Sequence, residues 1–285
     1  YGAYKISCYH GTAHGHQSLL QAFANSCNGA FAEIGMQINS EKFRALANQM
    51  LFNSELPYTL PYNQSTFSLD GSSDNWEKLQ TAIGQGKTQI TPLHNLMIVS
   101  AIANGGTYTK PIFFTKILDR NGKILIDNEP ETRQALKDST AYLLTSAMQD
   151  VMQSNTMYTR SGSGVKSTGT TAAIPNMSCA GKSGTTTSNV DVWFVGFTPY
   201  YTAGIWGGCD NNQPLKGGTV SNGGTSYHKR IWRNIMTRVH ESLSDPGFTV
   251  PDSIETAEVC RKSGKLPVSG VCSSDPRGTA VYTEY

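Results

Sequence analysis

The sequence predicts a mixed α/β fold of the α+β kind, in which an antiparallel sheet is flanked by helices and joined to an all-helical subdomain. Three observations predict it. Helical patterns dominate the first half of the chain, including an almost wholly apolar helix that begins at Pro92. Two β-branched, aromatic segments at 190–198 and 201–207 are separated by a turn, which is typical of consecutive antiparallel strands. An amphipathic helix at 227–243 follows them.

Composition limits the classes of function. With 285 residues the chain can form one large domain or two closely packed subdomains. A net charge of +2 gives no electrostatic reason to expect a nucleic-acid partner. No apolar stretch approaches the length of a membrane span. Because the chain begins at Tyr1 without Met, we expect it to be a piece of a longer protein.

The first half is predicted to be mostly helical. A helical pattern at 17–34 is interrupted by 25–29, whose Asn, Ser and Gly residues favour caps and turns, so a helix, a short turn and a second helix are expected. Ser40 is expected to cap a third helix. Thr91 as the cap and Pro92 at the first helical position begin the apolar helix.

The middle of the chain alternates turn signals with regular patterns. Asn121-Gly122 predicts a hairpin between 111–118 and 123–126. Ser139 is expected to cap a long amphipathic helix, and 161–173 to form a Ser/Gly/Thr-rich loop.

The run 179–187 contains small residues, several hydroxyls and one cation, Lys182. Before two strands it is predicted to be an edge strand, where small side chains let the backbone of a ligand approach. A P-loop is an alternative because Gly181-Lys182-Ser183 ends that motif, but Asn176 stands where the first glycine belongs and no helical pattern follows. A glycine-rich edge strand without a binding role is the other alternative.

Six cysteines leave several interpretations open. Cys260 and Cys272 flank a turn-rich segment and are either a local disulfide or two free thiols. Cys27, Cys179 and Cys209 are expected to be buried small hydrophobes.

A second group lies near the start of the chain. Cys8, His10, His14 and His16 are candidate zinc ligands, but their spacing matches no standard site. Gly11 and Gly15 are typical of an exposed loop, which is the alternative.

Together the motifs indicate a family. Ser26-Cys27-Asn28 lies between two helices, Gly84-Gln85-Gly86 precedes Thr-Pro-Leu, and Lys182-Ser183-Gly184 precedes Trp-Phe-Val-Gly-Phe-Thr-Pro. The chain resembles the transpeptidase domain of penicillin-binding proteins, whose motifs are S-x-x-K, S-x-N and K-T-G. The resemblance covers roughly 17–243. Residues 191–199 and 203–206 are similar to the bifunctional (class A) branch, whereas 7–10 and 26–28 are closer to the monofunctional branch.

One departure from the family pattern matters. No S-x-x-K precedes Ser26, and the one formal match, at 163–166, follows it in a segment without a helical pattern, so we treat that match as chance. The nucleophilic serine and its lysine base are therefore expected in an upstream segment outside this chain. Without that segment, apolar faces are expected to be exposed on the helix from Leu93 and on the strands.

The resemblance implies the domain organisation. Residues 1–248 would be a partial transpeptidase domain, with a helical subdomain at about 16–160 and the motif sheet with its C-terminal helix at about 175–244. Residues 249–285, rich in Pro, Gly and Ser, are expected to be an irregular tail.

The resemblance also implies a function, that of a peptidoglycan D,D-transpeptidase acting through an acyl-enzyme. Ser26, Asn28 and Lys182 would be its catalytic residues in this chain. The substrate-binding residues would be Ser183, Gly184, Thr185 and Thr187. No cofactor and no metal are expected at that site.

The implied partners are peptidoglycan stem peptides, β-lactams and the upstream segment, on the extracytoplasmic face of a bacterial membrane to which the parent protein is anchored. Two alternatives remain open: a non-catalytic, transpeptidase-like binding module, and a serine β-lactamase-like hydrolase.

Overall fold

The computed structural model describes residues 2–15, 17–153, 157–158, 164–215, 227–260, 265–269 and 279–284. Within these residues it confirms the mixed architecture of helices and antiparallel sheet. The helices are α1 (Leu19–Ala24), α2 (Asn28–Gln37), α3 (Ser40–Gln49), α4 (Asn75–Ala82), α5 (Pro92–Ala103), α6 (Asp138–Met152) and α7 (Tyr227–Val239).

The strands form one three-stranded sheet and four two-stranded ones in the described part of the chain. The small pairs are antiparallel: β1 (Thr107–Thr109) with β4 (Thr132–Gln134), β2 (Lys116–Leu118) with β3 (Ile124–Asp127), β5 (Met157–Tyr158) with β6 (Gly164–Val165), and β10 (Glu255–Cys260) with β11 (Thr279–Glu284). The β2–β3 pair confirms the hairpin predicted from Asn121-Gly122.

The central sheet has the order β7 (Ala180–Thr185), β8 (Asp191–Phe197) and β9 (Thr202–Gly208), so β7 is an edge strand as predicted. Lys182 pairs with Val195, and Val195 pairs with Gly204. Because the run that contains Lys182 is a strand and is followed by a strand, it does not form a P-loop, which needs a helix at this point.

Alternation along β8 places helices on both faces of this sheet. Phe194 is fully buried against Trp232 of α7, with ring centroids 5.2 Å apart. On the opposite face, Phe197 packs in a cluster with Val99 of α5 and Met148 of α6. The sheet that carries Lys182 is therefore fixed by packing on both sides.

The observed N-cap residue is the predicted one for α5 but not for α3 or α6. Thr91 caps α5 by accepting from the His94 backbone N–H, with Pro92 at the first helical position, as predicted. The cap of α3 is Asn39, which accepts from the Lys42 N–H, and Ser40 is already inside the helix. Ser139 is likewise inside α6, which begins at Asp138. Adjacent polar residues compete for each cap position, and only the path of the preceding chain decides between them.

The C-terminal tail also differs from expectation. Residues 255–260 and 279–284 form a two-stranded antiparallel sheet rather than irregular structure, and Val259 is 2% exposed. The Pro, Gly and Ser content of the tail obscured two short segments that contain Thr, Val and Tyr, which favour strands.

Two predictions about exposure were wrong. Cys209 is exposed, whereas Cys27 and Cys179 are buried as expected. The α5 helix is buried or half-buried from Leu93 to Ala103, so the expected apolar exposure is not found there. On the strands it is found at Trp206 of β9, which is 47% exposed, and on α7 Ile231 and Ile235 are 41% and 46% exposed. No helix in the described ranges combines the length and apolar character needed to cross a membrane.

Candidate active site

The junction between α1 and α2 presents the first motif. Ser26 has a φ of 58°, a left-handed conformation that is uncommon for a residue other than glycine. Backbone hydrogen bonds close the turn, from the Ser26 N–H to the Phe23 carbonyl at 3.2 Å and from the Cys27 N–H to the Ala22 carbonyl at 2.8 Å. The turn exposes Ser26 and buries Cys27. The predicted helix–turn–helix is thus confirmed, and its turn projects a hydroxyl.

Lys182 on β7 reaches that hydroxyl although 156 positions separate the two residues. Its Nζ donates to Ser26 Oγ at 2.9 Å and to the Ser183 carbonyl at 3.0 Å. The ammonium also lies 5.7 Å from the centroid of the Phe23 ring. The structure therefore joins two of the three predicted catalytic residues, Ser26 and Lys182, in one hydrogen bond.

The charge of Lys182 is perturbed by its surroundings. Burial lowers the pKa of the Lys182 ammonium to about 8, and repulsion from Lys229 adds to the effect. Lys229 is itself held by the Thr168 carbonyl at 2.7 Å, and burial lowers its pKa as well. A lysine with a pKa about 8 can hold or release a proton near neutral pH.

The outer edge of β7 faces the α4–α5 connection. Gln85 Nε2 donates to the Thr185 carbonyl at 3.3 Å, and Gln85 Oε1 accepts from the Thr187 N–H at 3.3 Å and from the Thr187 hydroxyl at 3.4 Å. Because the C=O and N–H of a strand residue point to the same side, the Thr185 N–H also faces this edge. Gly184 is exposed, which leaves the edge accessible.

Asn28, the first residue of α2, faces the N-terminal segment. Its Nδ2 donates to the Ser7 carbonyl at 2.9 Å. Its side chain therefore lies between the Ser26 turn and residues 5–14, which form the other side of the site.

A cavity of about 730 Å³ unites these groups. Five predicted site residues line it: Ser26, Asn28, Ser183, Thr185 and Thr187. Lys182 and Gly184 are not among its described lining residues; Lys182 reaches Ser26 from the strand side.

Several lining residues escaped the sequence analysis. Lys229 and Thr168 line the cavity, as do Lys5, Ile6 and Trp76. Lys229 lies in an ordinary amphipathic helical pattern and Thr168 in a loop, so no local signal distinguishes them. Gln85 belongs to the Gly84-Gln85-Gly86 motif, but only the structure shows that it contacts β7.

The cysteine and histidine cluster in the structure has different members from the predicted one. Cys8 and His14 lie close together, but their third partner is Cys27. The side chains of His10 and His16, Cys272 and hence the Cys260–Cys272 pair lie outside the described residues.

Residues 1–237 match the family described as the penicillin binding protein transpeptidase domain. The chain belongs to this family of transpeptidase domains. Penicillin-binding protein 1A of Clostridium botulinum (strain Langeland) is 34% identical over 204 residues, which are 72% of this chain and 23% of that protein. The chain therefore spans about a quarter of the length of this curated relative.

Solved structures agree on the fold. The D,D-transpeptidase domain of a peptidoglycan glycosyltransferase from Eggerthella lenta has a TM-score of 0.68 at 24% identity, covering 83% of this chain and 56% of that one. Penicillin-binding protein A from M. tuberculosis, as an imipenem acyl-enzyme complex, has a TM-score of 0.66 at 23% identity, covering 82% and 51%. The penicillin-binding fold is thus shared at low identity.

The formal S-x-x-K match at 163–166 does not lie in a helix where it is described. Ser163 is outside the described residues, Gly164–Val165 is strand β6, and Lys166 is exposed. The penicillin-binding family places its nucleophile at the start of a buried helix, which this segment does not provide.

Proposed function

We propose that this chain is the motif-bearing part of a peptidoglycan D,D-transpeptidase, whose nucleophilic serine and lysine base lie in an upstream segment. The observation that carries the proposal is the hydrogen bond from Lys182 Nζ to Ser26 Oγ at the wall of the cavity. It joins the S-x-N and K-T-G motifs, which lie far apart in the sequence. Family membership supports the reaction class, an acyl transfer.

The proposed reaction begins at the upstream serine. Its Oγ attacks the carbonyl of the D-Ala-D-Ala bond, its proton passes to the departing D-Ala amine, and an acyl-enzyme forms; the amine of a second stem peptide then displaces the serine. Ser26 relays the proton to the leaving amine. Because Lys182 donates to the Ser26 oxygen, the Ser26 O–H is oriented away from Lys182 and can serve the substrate.

Charge and backbone groups at the β7 edge would bind the substrate. Lys5 and Lys229 line the cavity and Lys182 reaches its wall at Ser26, so these cations favour a terminal carboxylate. The hydroxyls of Ser183 and Thr185 would bind that carboxylate, with Thr187 beside them and Gly184 leaving room for the peptide. The Thr185 N–H, on the cleft edge, would donate to the developing oxyanion together with the N–H of the upstream serine. Asn28 would orient the stem-peptide amide.

The edge of the central sheet at β9, unpaired among the described residues, supports the proposal that an upstream segment completes the domain. Strand β9 has no partner on its outer edge among the described residues, and α7 beside it carries exposed apolar side chains. An additional strand and helix from upstream would cover both. The proposed location is the outer face of a bacterial membrane, where peptidoglycan stem peptides and β-lactams are accessible.

A fluorescent penicillin tests the proposal on the full-length protein, since β-lactams acylate the same serine. Stable labelling is expected, and Lys182→Ala is expected to reduce the labelling rate by about 10²–10³-fold, as when an oxyanion-stabilising donor is lost. Rapid turnover of the label would indicate the hydrolase instead. Absence of labelling in the intact protein would leave only the non-catalytic binding module.

Lys166→Ala is the matched control, because it removes an exposed lysine from the one formal S-x-x-K match. Its labelling should equal that of the wild type; a loss would place the base in this chain. The pH profile adds a second readout. The labelling rate should fall as the pH rises through about 8, where Lys182 loses its proton. Lys182→Arg, which stays charged, should remove that falling limb.

A further inference from the structure

Three side chains, two from the N-terminal segment and one from the α1–α2 junction, lie close together next to Ser26. Cys8 precedes a short 3-10 helix (Tyr9–Gly11), His14 follows it, and Cys27 is the N-cap residue of α2. One ligand atom from each lies within 4.8 Å of the other two. Both thiols are free, with Sγ atoms 3.7 Å apart.

The separation of the sulfurs suits a bridging ion. Two thiolates on a tetrahedral zinc, each at about 2.3 Å, have sulfurs about 3.8 Å apart. The observed 3.7 Å needs almost no rearrangement to reach that geometry. A disulfide, by contrast, requires the sulfurs to approach to about 2.05 Å.

The cluster lies at the N-terminus of α2 and leaves a ring nitrogen unused. The backbone N–H groups of Asn28 and Gly29, at the N-terminus of α2, hydrogen-bond to Cys8, and Cys27 makes no side-chain capping bond there. His14 Nδ1 is buried and has no hydrogen-bond partner among the described residues, a costly state that a bound ion or a partner of the bound ring would relieve.

We propose that Cys8, His14 and Cys27 bind a zinc-class divalent cation, a site separate from the acyl-transfer groups. Two thiolates and an imidazole are ligands that zinc prefers, and the fourth position is open to water or another ligand. Binding releases two thiol protons, so Zn²⁺ and two thiolates form a neutral centre.

The position of the site gives it a consequence for the cleft. Cys8 follows Ser7, whose carbonyl accepts from Asn28, and Cys27 lies between Ser26 and Asn28. His14 and Ser7 line the cavity. A bound ion would therefore tie residues 5–14 to the α1–α2 junction and hold one wall of the cavity in place. This inference does not depend on the proposed activity.

The test uses the full-length protein, purified under reducing conditions, with Zn²⁺ and Co²⁺ as probes. One equivalent of Co²⁺ should bind with thiolate-to-cobalt charge-transfer absorption in the near ultraviolet and with the visible bands of tetrahedral cobalt, and Zn²⁺ should displace it. Zn²⁺ should also raise the melting temperature.

Cys8→Ser, His14→Ala and Cys27→Ser should each weaken Zn²⁺ binding by at least about tenfold. Cys8 is only half-buried, so Cys8→Ser tests the proposal even if Cys27→Ser fails to fold. Cys209→Ser removes an exposed thiol and should bind as the wild type does. Wild-type cobalt spectra in Cys8→Ser and His14→Ala would overturn the proposal, as would a metal-free protein with a Cys8–Cys27 disulfide.

Discussion

Helices α5 and α7 pack on opposite faces of one sheet, yet they differ in how completely the chain covers them. Every residue of α5 after Pro92 is at least half-buried. On α7, Trp232 and Met236 are buried, but Ile231, Ile235 and Val239 are 41%, 46% and 47% exposed. A spacing of four places these three on one side of the helix, so they form an apolar stripe.

The two helices also carry one fully buried histidine each. His94 of α5 bonds to the Met50 carbonyl through Nε2 at 2.6 Å and lies 4.8 Å from the Phe52 ring. Neither ring nitrogen of His228 on α7 has a hydrogen-bond partner in the described ranges. Burial lowers the pKa of His94, and burial with repulsion from Lys229 lowers that of His228 to about 4.

The two helices therefore differ in how completely other residues of this chain contact their side chains. On the α5 face, the apolar side chains are covered by this chain and one of the two ring nitrogens of His94 is bonded, whereas its Nδ1 has no partner among the described residues. On the α7 face, the apolar stripe is not covered by the described residues, and neither ring nitrogen of His228 has a hydrogen-bond partner among them. That asymmetry is what a sheet completed from upstream would show.

The largest expected effect is at the centre of the α7 contact. Trp232→Ala should lower the free energy of unfolding by about 3–5 kcal/mol, since it removes a fully buried ring from Phe194 and a hydrogen bond to the Ala203 carbonyl. Urea denaturation measures it. A loss under about 1 kcal/mol would mean that α7 is not docked on the sheet as described.

The buried histidine of α7 should make the stability of the protein sensitive to acid. The folded-state pKa of His228, about 4, is below its ordinary value of 6.5, so the unfolded state takes up the proton first and stability falls as the pH falls from 6.5 towards 4. Between pH 7 and pH 5 the loss should be on the order of 1–2 kcal/mol. His228→Leu should remove this loss.

His94→Leu is the comparison for that variant. It leaves the Met50 carbonyl unpaired and should therefore lower stability at both pH values. Equal acid sensitivity of His228→Leu and the wild type would contradict the assignment.

A smaller effect is expected at the start of α5. Thr91→Ala should destabilise the protein by about 1 kcal/mol, because the His94 N–H loses its capping oxygen. Thr91→Ser keeps the oxygen and should restore most of the stability. If Thr91→Ser were as unstable as Thr91→Ala, packing of the methyl group rather than capping would be responsible.

The smallest effect should be on the exposed stripe. In the 285-residue chain, Ile235→Ser should change the free energy of unfolding by about 0.5 kcal/mol or less, as at other exposed positions. In the full-length protein the same change should cost several times more, because the upstream segment would bury the stripe. Equal effects in the two forms would argue against coverage of α7 by that segment.

Local signals were sufficient for much of the fold. Thr91-Pro92 fixed the start of α5, Asn121-Gly122 the β2–β3 hairpin, and the alternating aromatic residues the β8–β9 pair. Exposure was harder to predict, because the apolar residues of α7 that the sheet covers cannot be told from those left exposed until the neighbours of the helix are known. Helix α4 lay in a polar stretch for which no helix was predicted.

The candidate site also contains some residues that the sequence could identify and others that it could not. Ser26, Asn28 and Lys182 could be named because each lies in a short motif, and the structure brings Ser26 and Lys182 into contact. Lys229 and Gln85 could not, since their roles depend on which helix and loop face β7. Cys27 was expected to be a passive core residue because nothing in the sequence places it beside Cys8 and His14.

The left-handed turn at Ser26 restricts which substitutions the site can accept. Glycine and asparagine adopt a φ near 58° readily, but neither keeps the hydroxyl. Threonine keeps the hydroxyl, yet its branched Cβ is strained in this conformation. Serine is thus nearly alone in meeting both demands, and a library randomised at position 26 should return it far more often than chemically similar residues.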